Sequence, residues 1–337
     1  MFNFDPARFL KIQTGAFEAA RALGALVQDL VARGADSLFF MGSGGAGILM
    51  QPAADLMARS SALPCHNILC AEIVLTGHRA LGPKSIVLMP SLSGTTKESI
   101  AAMDYVKARG ATVISLVGHA DTPLARGADH CFVNFAEDDT SCEMFYIQSL
   151  VAALAAMQAR GERDDYDRLI GELAGLPAQL LAVKQAFEPR AAALAETLRA
   201  DRWHIITGSG AAWPEAYYYG MCILEEMQWI RTRPVHASDF FHGTLELVEN
   251  GVSVIVLAGE DPTRPLTDRV IAFARTYTDR LTVLDSAEMA TSGLSPALRA
   301  MISPAILATM LERLSAHLEV LRNHPLVTRR YYKRVAY

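Results

Sequence analysis

Ser37-Leu-Phe-Phe-Met-Gly-Ser-Gly-Gly-Ala-Gly47 is repeated in outline 166 residues later as Trp203-His-Ile-Ile-Thr-Gly-Ser-Gly-Ala-Ala-Trp213. In each copy an apolar, β-prone run meets Gly-Ser-Gly and passes into a helical pattern. A strand that ends in such a turn opens onto helix N-terminal amides, which attract anions. Two copies predict a duplicated α/β domain, and the anion preference points to a phosphorylated ligand.

The flanking sequence fits two such domains. Residues 5–34 carry Ala, Leu and Val at helical spacing and end at Arg33-Gly34, where glycine suits a C-terminal cap. Strand-like runs at 37–42, 64–70, 84–90, 111–118 and 130–135 alternate with helical stretches, which predicts a parallel sheet covered on both faces. Residues 141–200, rich in Ala, Leu and Glu, read as helices that close the first domain and lead into the second, with the boundary within 165–195. Further strands are expected at 203–208, 233–238, 252–258 and 280–285, with a helix over 303–323. The expected architecture is two doubly wound, flavodoxin-like parallel-sheet α/β domains in tandem, 1–180 and 181–337. A polar tail ends the chain, and its mixture of Arg329, Tyr331, Tyr332 and Lys333 is sticky for a free end.

Composition narrows the function. With 337 residues, 51% of them hydrophobic, the chain can bury two sizeable cores. A net charge of -5 and the lack of a basic cluster with interleaved aromatics argue against nucleic acid. A small anionic substrate must then be held locally, by backbone amides and hydroxyls. Five scattered cysteines (Cys65, Cys70, Cys131, Cys142, Cys222) lack metal-type pairing, and nothing at the N-terminus resembles a secretion signal, so a reduced, cytoplasmic protein is expected. No uninterrupted apolar run approaches the roughly 20 residues of a membrane span. Cys65-His66 with Cys70 lacks a second ligand cluster at zinc spacing, and buried thiols on a strand are the commoner arrangement; no metal and no cofactor are expected.

The chemistry-bearing residues begin where the strand Lys84–Pro90 runs into Ser91-Leu92-Ser93-Gly94-Thr95-Thr96. The hydroxyls of Ser91, Ser93 and Thr96, with Gly94 allowing close backbone approach, sit at a strand-to-helix junction suited to phosphate without lysine or metal. Thr95 with Glu98 also fits a capping box, which accounts for one hydroxyl but not four. The loop lacks the Walker lysine and the three-glycine dinucleotide fingerprint. The first turn, Gly42-Ser43-Gly44, should lie beside this loop if both strands point the same way, so that Ser43 faces the same pocket. At the matching place the second copy has Val256-Leu-Ala-Gly-Glu-Asp261, whose acidic pair would repel a phosphate.

The helical stretch Glu215–Ile230 is apolar on most faces and is interrupted by Glu225 and Glu226. Neighbours on a helix diverge by about 100°, so one of the two should point away from water. A carboxylate in apolar surroundings has a raised pKa that suits a base near neutrality. The structural alternative is that both are exposed or paired with Arg231 or Arg233. His242, beside Gly243, is either a structural histidine or an acid in reach of a ligand.

In this combination the Gly42-Ser43 turn, the Ser91–Thr96 loop, Glu226 and Ser238-Asp-Phe-Phe-His-Gly243 resemble the tandem SIS (sugar isomerase) domain proteins, which include the isomerase half of glucosamine 6-phosphate synthase. The resemblance covers nearly the whole chain. It implies that Glu226 and His242, 16 residues apart, are the catalytic glutamate and histidine. Within that family the stretch from His242 to Glu249 and the ending from Asn323-His-Pro through Arg329-Arg-Tyr-Tyr332 to Tyr337 are similar to the deglycases of phosphorylated Amadori compounds, such as fructoselysine 6-phosphate deglycase. Met1-Phe2 offers no N-terminal cysteine nucleophile, and a glutaminase half is not expected. The synthase carries a lysine three positions before its glutamate, where this chain has Ile223, so a mechanism through that amine is not expected. Lys333 falls at the synthase's C-terminal lysine and stands as a third catalytic candidate.

The resemblance implies conversion of a 6-phosphofructosyl amine or amino acid to glucose 6-phosphate and the free amine, without cofactor or metal. The phosphate would rest on Gly42, Ser43, Gly44, Ser91, Leu92, Ser93 and Thr96. Glu226 would take a C1 proton to give an enaminol, and His242 would act as acid. The partners implied are a sugar phosphate and a second copy of the chain, with active sites at the homodimer interface; nucleic acid and membrane are not expected. The alternatives are an amino-sugar phosphate isomerase or deaminase on the same scaffold, and a non-catalytic sugar-phosphate sensor.

Overall fold

The computed structural model describes residues 1–134 and 143–336; Cys142 and Tyr337 lie outside them. By contact the chain forms two compact units, Pro6–Pro177 and Ala178–Tyr337, the second including Met1–Asp5.

In the first unit the strands are β1 (Ser37–Gly42), β2 (Cys65–Leu69), β3 (Ser85–Ser91), β4 (Thr112–Val117) and β5 (His130–Val133). They form one parallel sheet in the order β2-β1-β3-β4-β5. The order reverses between β1 and β3, the flavodoxin-like switch point. Every residue of β1 and β3 is buried, as both faces of a helix-covered sheet require. One face sets Phe39, Met41, Val87 and Met89 against Ile73, Ala102, Val106 and Leu124 of the helices Cys70–Thr76, Lys97–Lys107 and Pro123–Gly127. Fully burying side chains of this size contributes about 1.5–3 kcal/mol each, so the strand ends are held firmly. The helix Glu143–Ala159 is buried on all sides from Glu143 to Met157, consistent with its lack of a polar face.

The second unit repeats the plan with one strand fewer. β6 (Trp203–Gly208), β7 (Arg231–His236), β8 (Val254–Ala258) and β9 (Leu281–Asp285) form a parallel sheet in the order β7-β6-β8-β9. The switch point falls between β6 and β8, the counterparts of β1 and β3.

Three expectations are corrected. β7 lies two residues earlier than the 233–238 reading, because Arg231 pairs with Trp203 at the start of β6. The last long helix starts at Pro296 rather than 303; Ser295 caps it by accepting a hydrogen bond from the Leu298 amide, and Pro304 is accommodated inside it. The stretch 215–230 is not one regular helix. An α-helix over Trp213–Tyr218 passes into a π-helix over Tyr219–Glu225, with Glu226 N–H bonded to the Met221 carbonyl and Gln228 N–H to that of Ile223. Gly220 lies flat on the sheet there: a Cβ would stand 3.0 Å from both Pro234 Cγ and Thr232 Oγ1. Such wide turns often mark functional segments.

Candidate active site

In the first unit β1 ends at Gly42 and β3 at Ser91, at the switch point where open α/β sheets receive ligands. Gly42 lets the turn fold back on itself, since a Cβ there would stand 2.4 Å from Gly47 Cα. Ser43 Oγ lies 3.4 Å from Ser99 Oγ, in the first turn of the helix that follows the Ser91–Thr96 loop. The Cys70 thiol joins this pair; burial pushes its pKa up, and hydrogen bonds with Ser43 and Ser99 pull it partly back. Gly44 is exposed at φ 56.

The Ser91–Thr96 loop is tied together by its own hydroxyls. Ser91 Oγ accepts from the Gly94 amide at 3.2 Å and lies 3.4 Å from Thr96 Oγ1. Ser93 Oγ accepts from the Thr95 amide and hydroxyl at 3.4 and 3.2 Å. The Leu92 carbonyl is anchored by the Gly118 amide at 2.8 Å. The expected capping box between Thr95 and Glu98 is not formed. The Thr95 hydroxyl is turned back to Ser93, and Thr96, the N-cap residue of the 11-residue helix, makes no side-chain cap bond, its hydroxyl lying beside Ser91 Oγ. The N-cap side chain thus takes up none of that helix's first-turn amides, which are suited to an anion.

The second Gly-Ser-Gly supplies its own anion. Asp261, just after β8, accepts the Ala211 amide on Oδ2 at 2.7 Å and the Thr263 amide on Oδ1 at 2.7 Å. Gly210 is left-handed at φ 51, and a Cβ there would meet Asp261 Oδ2 at 2.4 Å. Glu260 is held by Arg299, at 2.7 and 2.8 Å, and by the Ser286 hydroxyl at 2.8 Å. The turn is therefore closed by a carboxylate that belongs to the protein, a more specific arrangement than repulsion from an acidic pair.

The π-helix delivers two glutamates to different surroundings. Glu225 accepts from the Thr232 amide and hydroxyl at 3.1 and 2.6 Å, rather than pairing with Arg231 or Arg233. Glu226 Oε1 pairs with Arg329 Nε at 2.9 Å. Its surroundings are not apolar, contrary to the sequence reading, because the C-terminal tail folds back onto this helix. Arg329 also donates to the carbonyls of Leu326 and Thr328 at 2.6 and 3.0 Å. The helix ends on Trp229, left-handed at φ 55, a conformation that costs a non-glycine residue about 1–3 kcal/mol. The Trp229 indole meets His324 edge-on at 4.6 Å and lies under the Arg330 guanidinium at 4.1 Å. Helix end and tail, with Arg202 and the start of β7, line an open cavity of about 880 Å³ with Glu226 on its wall.

His242 ends a short 3₁₀ turn, Asp239–His242, and is exposed beside Gly243 at φ 142. It does not line the Glu226 cavity. Neither does Lys333, which is exposed, with its ammonium 5.2 Å from the centre of the Tyr332 ring. Among the described residues no three of His, Cys, Asp and Glu gather as a metal site, and no helix is long and apolar enough to cross a membrane.

A profile of the SIS domain matches residues 33–160. Over 94% of its length the chain is 30% identical to fructosamine deglycase FrlB of Bacillus subtilis (strain 168), covering 97% of that protein. The chain belongs to the SIS-domain fructosamine deglycase family. A second member, fructoselysine 6-phosphate deglycase of Escherichia coli (strain K12), is 28% identical over 91% of this chain and 88% of its own. Among solved structures, a phosphosugar isomerase candidate from Bacillus subtilis superposes with a TM-score of 0.88 at 29% identity, covering 96% of this chain and 99% of that one. The C-terminal domain of glucosamine-fructose-6-phosphate aminotransferase from Francisella tularensis shares the fold, with a TM-score of 0.79 at 15% identity over 95% of each chain.

Sequence reasoning passed over Ser99 and the Glu226–Arg329 pair. Ser99 left a signal: with Ala102, Met103 and Val106 it lies at helical spacing on the buried face of its helix, a polar residue where an apolar one is expected. The ion pair joins residues 103 positions apart and left none.

Proposed function

We propose that this SIS-domain deglycase converts a 6-phosphofructosyl amine or amino acid to glucose 6-phosphate and the free amine. The observation that carries the proposal is the Glu226 carboxylate, set by a π-helix on the wall of a large cavity and paired with Arg329, in a chain related throughout its length to fructosamine deglycase FrlB. The first domain (1–180) binds and the second (181–337) supplies the chemistry. Gly42, Ser43, Gly44 and the Ser91, Leu92, Ser93 and Thr96 loop take the phosphate; the helix amides and the hydroxyls clustered there support that role. The second turn takes none, since Asp261 fills it.

Glu226 removes a proton from C1; the C1–H electron pair forms the C1–C2 double bond while the C2=O π pair moves to the oxygen, which takes up a proton, giving an enaminol. Protonation at C2 then gives an aldose imine with its C=N bond at C1. Water adds to C1, the C–N bond breaks, and glucose 6-phosphate and the amine leave. His242 supplies the acid for ring opening or for protonation at C2. A positioned base and acid each contribute about 10² to 10⁴ in rate. The exposure of His242, away from the Glu226 cavity, supports an obligate homodimer in which His242 serves the neighbouring subunit. Lys333 remains the third catalytic candidate, and its exposed position supports a part at the substrate's outer end. The free thiols of Cys65, Cys70, Cys131 and Cys222 support a reducing, cytoplasmic setting.

The test is a coupled glucose 6-phosphate assay over a panel of 6-phosphofructosyl amino acids, with glucosamine 6-phosphate and fructose 6-phosphate alongside. Product from the panel is expected; turnover of only the other two sugars would replace this reading with the isomerase or deaminase. Mixing Glu226→Gln with His242→Ala under subunit exchange should restore activity, and no recovery would remove the shared site.

A further inference from the structure

A buried polar network stands behind Ser43, and the chemistry above does not use it. Ser43 is half-buried in the turn after β1, while Ser99 and Cys70 are 1% and 0% exposed. The two hydroxyl oxygens are 3.4 Å apart, and the Cys70 thiol hydrogen-bonds with both serines. The surroundings are apolar: Ser99 shares its buried helix face with Ala102, Met103 and Val106, and Cys70 belongs to the same cluster. Polar groups in such a place cost stability unless they are satisfied.

Ser99 departs from the other buried hydroxyls on helices. Ser149, Ser303, Thr309 and Ser315 each donate back to the carbonyl four residues earlier, at 2.7–2.9 Å, the usual way a helix absorbs a hydroxyl. The Ser99 hydroxyl meets Ser43 Oγ instead.

The direction of these bonds follows from burial. A hydroxyl has one hydrogen to give and two lone pairs to fill. Ser99 is shut off from solvent, and the one oxygen it bonds among the described residues is Ser43 Oγ. Burial pushes the Cys70 pKa up, so the thiol also keeps its hydrogen at neutral pH. Both inner groups are then donors, and Ser43, the half-buried member, receives. Its own hydrogen is left for the pocket side. At 3.4 Å the hydroxyl pair is looser than the roughly 2.5–3.0 Å of a tight bond, which leaves Ser43 free to follow a ligand.

We propose that Ser99 and Cys70 are positioning residues for the phosphate: they donate to Ser43 Oγ from behind, and the Ser43 hydroxyl is thereby turned to donate to a phosphate oxygen of the substrate. The inference rests on the reading that places phosphate on Ser43 and the Ser91–Thr96 loop. A phosphate dianion is met best by donors, so a hydroxyl with its hydrogen turned inward presents lone pairs to it and repels it. Hydrogen bonds in a chain polarise one another, so each inner donor strengthens the outermost one.

The test is a double-mutant cycle read as the Kd of glucose 6-phosphate, measured by calorimetry on the full-length protein. Ser43→Ala should weaken binding about tenfold to a hundredfold, the range of one hydrogen bond to a charged group. Ser99→Ala should weaken it about threefold to tenfold, the range of a neutral one. Cys70→Ala, the second route if Ser99→Ala does not fold, should weaken it at least about twofold, and Cys70→Ser, which keeps a donor, should restore the parent value. In the Ser43→Ala background neither Ser99→Ala nor Cys70→Ala should have a further effect, because both act through Ser43; a merely structural role would cost the same in both backgrounds. Parent-like Kd for Ser99→Ala, or equal losses with and without the Ser43 hydroxyl, would overturn the inference while leaving the phosphate on Ser43. No recovery in Cys70→Ser would overturn the donor role of the thiol. An unchanged Kd in Ser43→Ala, or a parent that does not bind glucose 6-phosphate, would instead overturn the phosphate reading and the inference with it.

Discussion

Gly94 is the residue on which the Ser91–Thr96 loop turns, and Gly94→Ala tests the construction of that loop. The residue is left-handed at φ 60, and an added Cβ would stand 2.2 Å from Thr122 Oγ1, 2.6 Å from its Cβ and 3.0 Å from its Cγ2. Thr122 is buried and cannot simply rotate away. Its hydroxyl donates to the His119 carbonyl and accepts the Ala125 amide, capping the helix Pro123–Gly127. The left-handed conformation costs alanine about 1–2 kcal/mol and overpacking a further 1–3, so a loss of about 2–5 kcal/mol is expected. For a unit of this size that lowers the melting temperature by roughly 5–20 °C. The Gly94 amide bonds to Ser91 Oγ, so the displacement also spreads the loop hydroxyls, and KM for the sugar phosphate should rise more than kcat falls. Adding Thr122→Gly removes the steric part while a glycine N-cap loses only a few tenths of a kcal/mol. The double variant should therefore be more stable than Gly94→Ala. A single variant with unchanged melting temperature and KM, or a double variant with no recovery, would refute the reasoning.

Three further outcomes follow from other contacts. Arg329→Met breaks the pair with Glu226 and unties the Leu326 and Thr328 carbonyls; kcat/KM for glucose 6-phosphate release should fall about tenfold or more, equivalent to about 1.4 kcal/mol, and an unaltered value would show that the pair is idle. His204 is buried against Ser253 at 2.8 Å, and burial, with Arg280 and Arg322 nearby, lowers its pKa from 6.5 to about 4. Its unfolded form binds the proton first, so its share of stability, about 3 kcal/mol at most, is present above pH 6.5 and is lost as the pH falls toward 4. Chemical denaturation across that window should be shallower for His204→Gln, and parallel curves would remove the assignment. Asp261→Ala strands the Ala211 and Thr263 amides, at a cost of about 2–3 kcal/mol in calorimetric unfolding; a variant as stable as the parent would show that the carboxylate does not close the second turn.

The strands and their duplicated turns were legible because buried parallel strands write continuous apolar runs, as in Phe39–Met41 and Ile205–Ile206, and because Gly-Ser-Gly marks their ends. What the sequence hid depends on contacts across long separations. Local pattern does not distinguish an α-helix from a π-helix at Tyr219–Glu225, since the widened turn answers to Gly220 lying on Pro234 and Thr232. Asp261 closes a turn 50 residues earlier, and the tail brings Arg329 to Glu226. The capping box failed for a local reason that spacing alone does not reveal: four hydroxyls in six positions bond to one another first. The base, by contrast, reads as lying among apolar groups because the guanidinium beside it comes from the far end of the chain.

The central claim, that Glu226 is the base that starts deglycation, is tested most directly by Glu226→Gln. Glucose 6-phosphate release from a 6-phosphofructosyl amino acid is measured in single turnover, with the Kd of the same compound from calorimetry. Turnover should fall by at least about 10² to 10⁴ while Kd stays within a few-fold. Retained turnover at unchanged Kd would contradict the account.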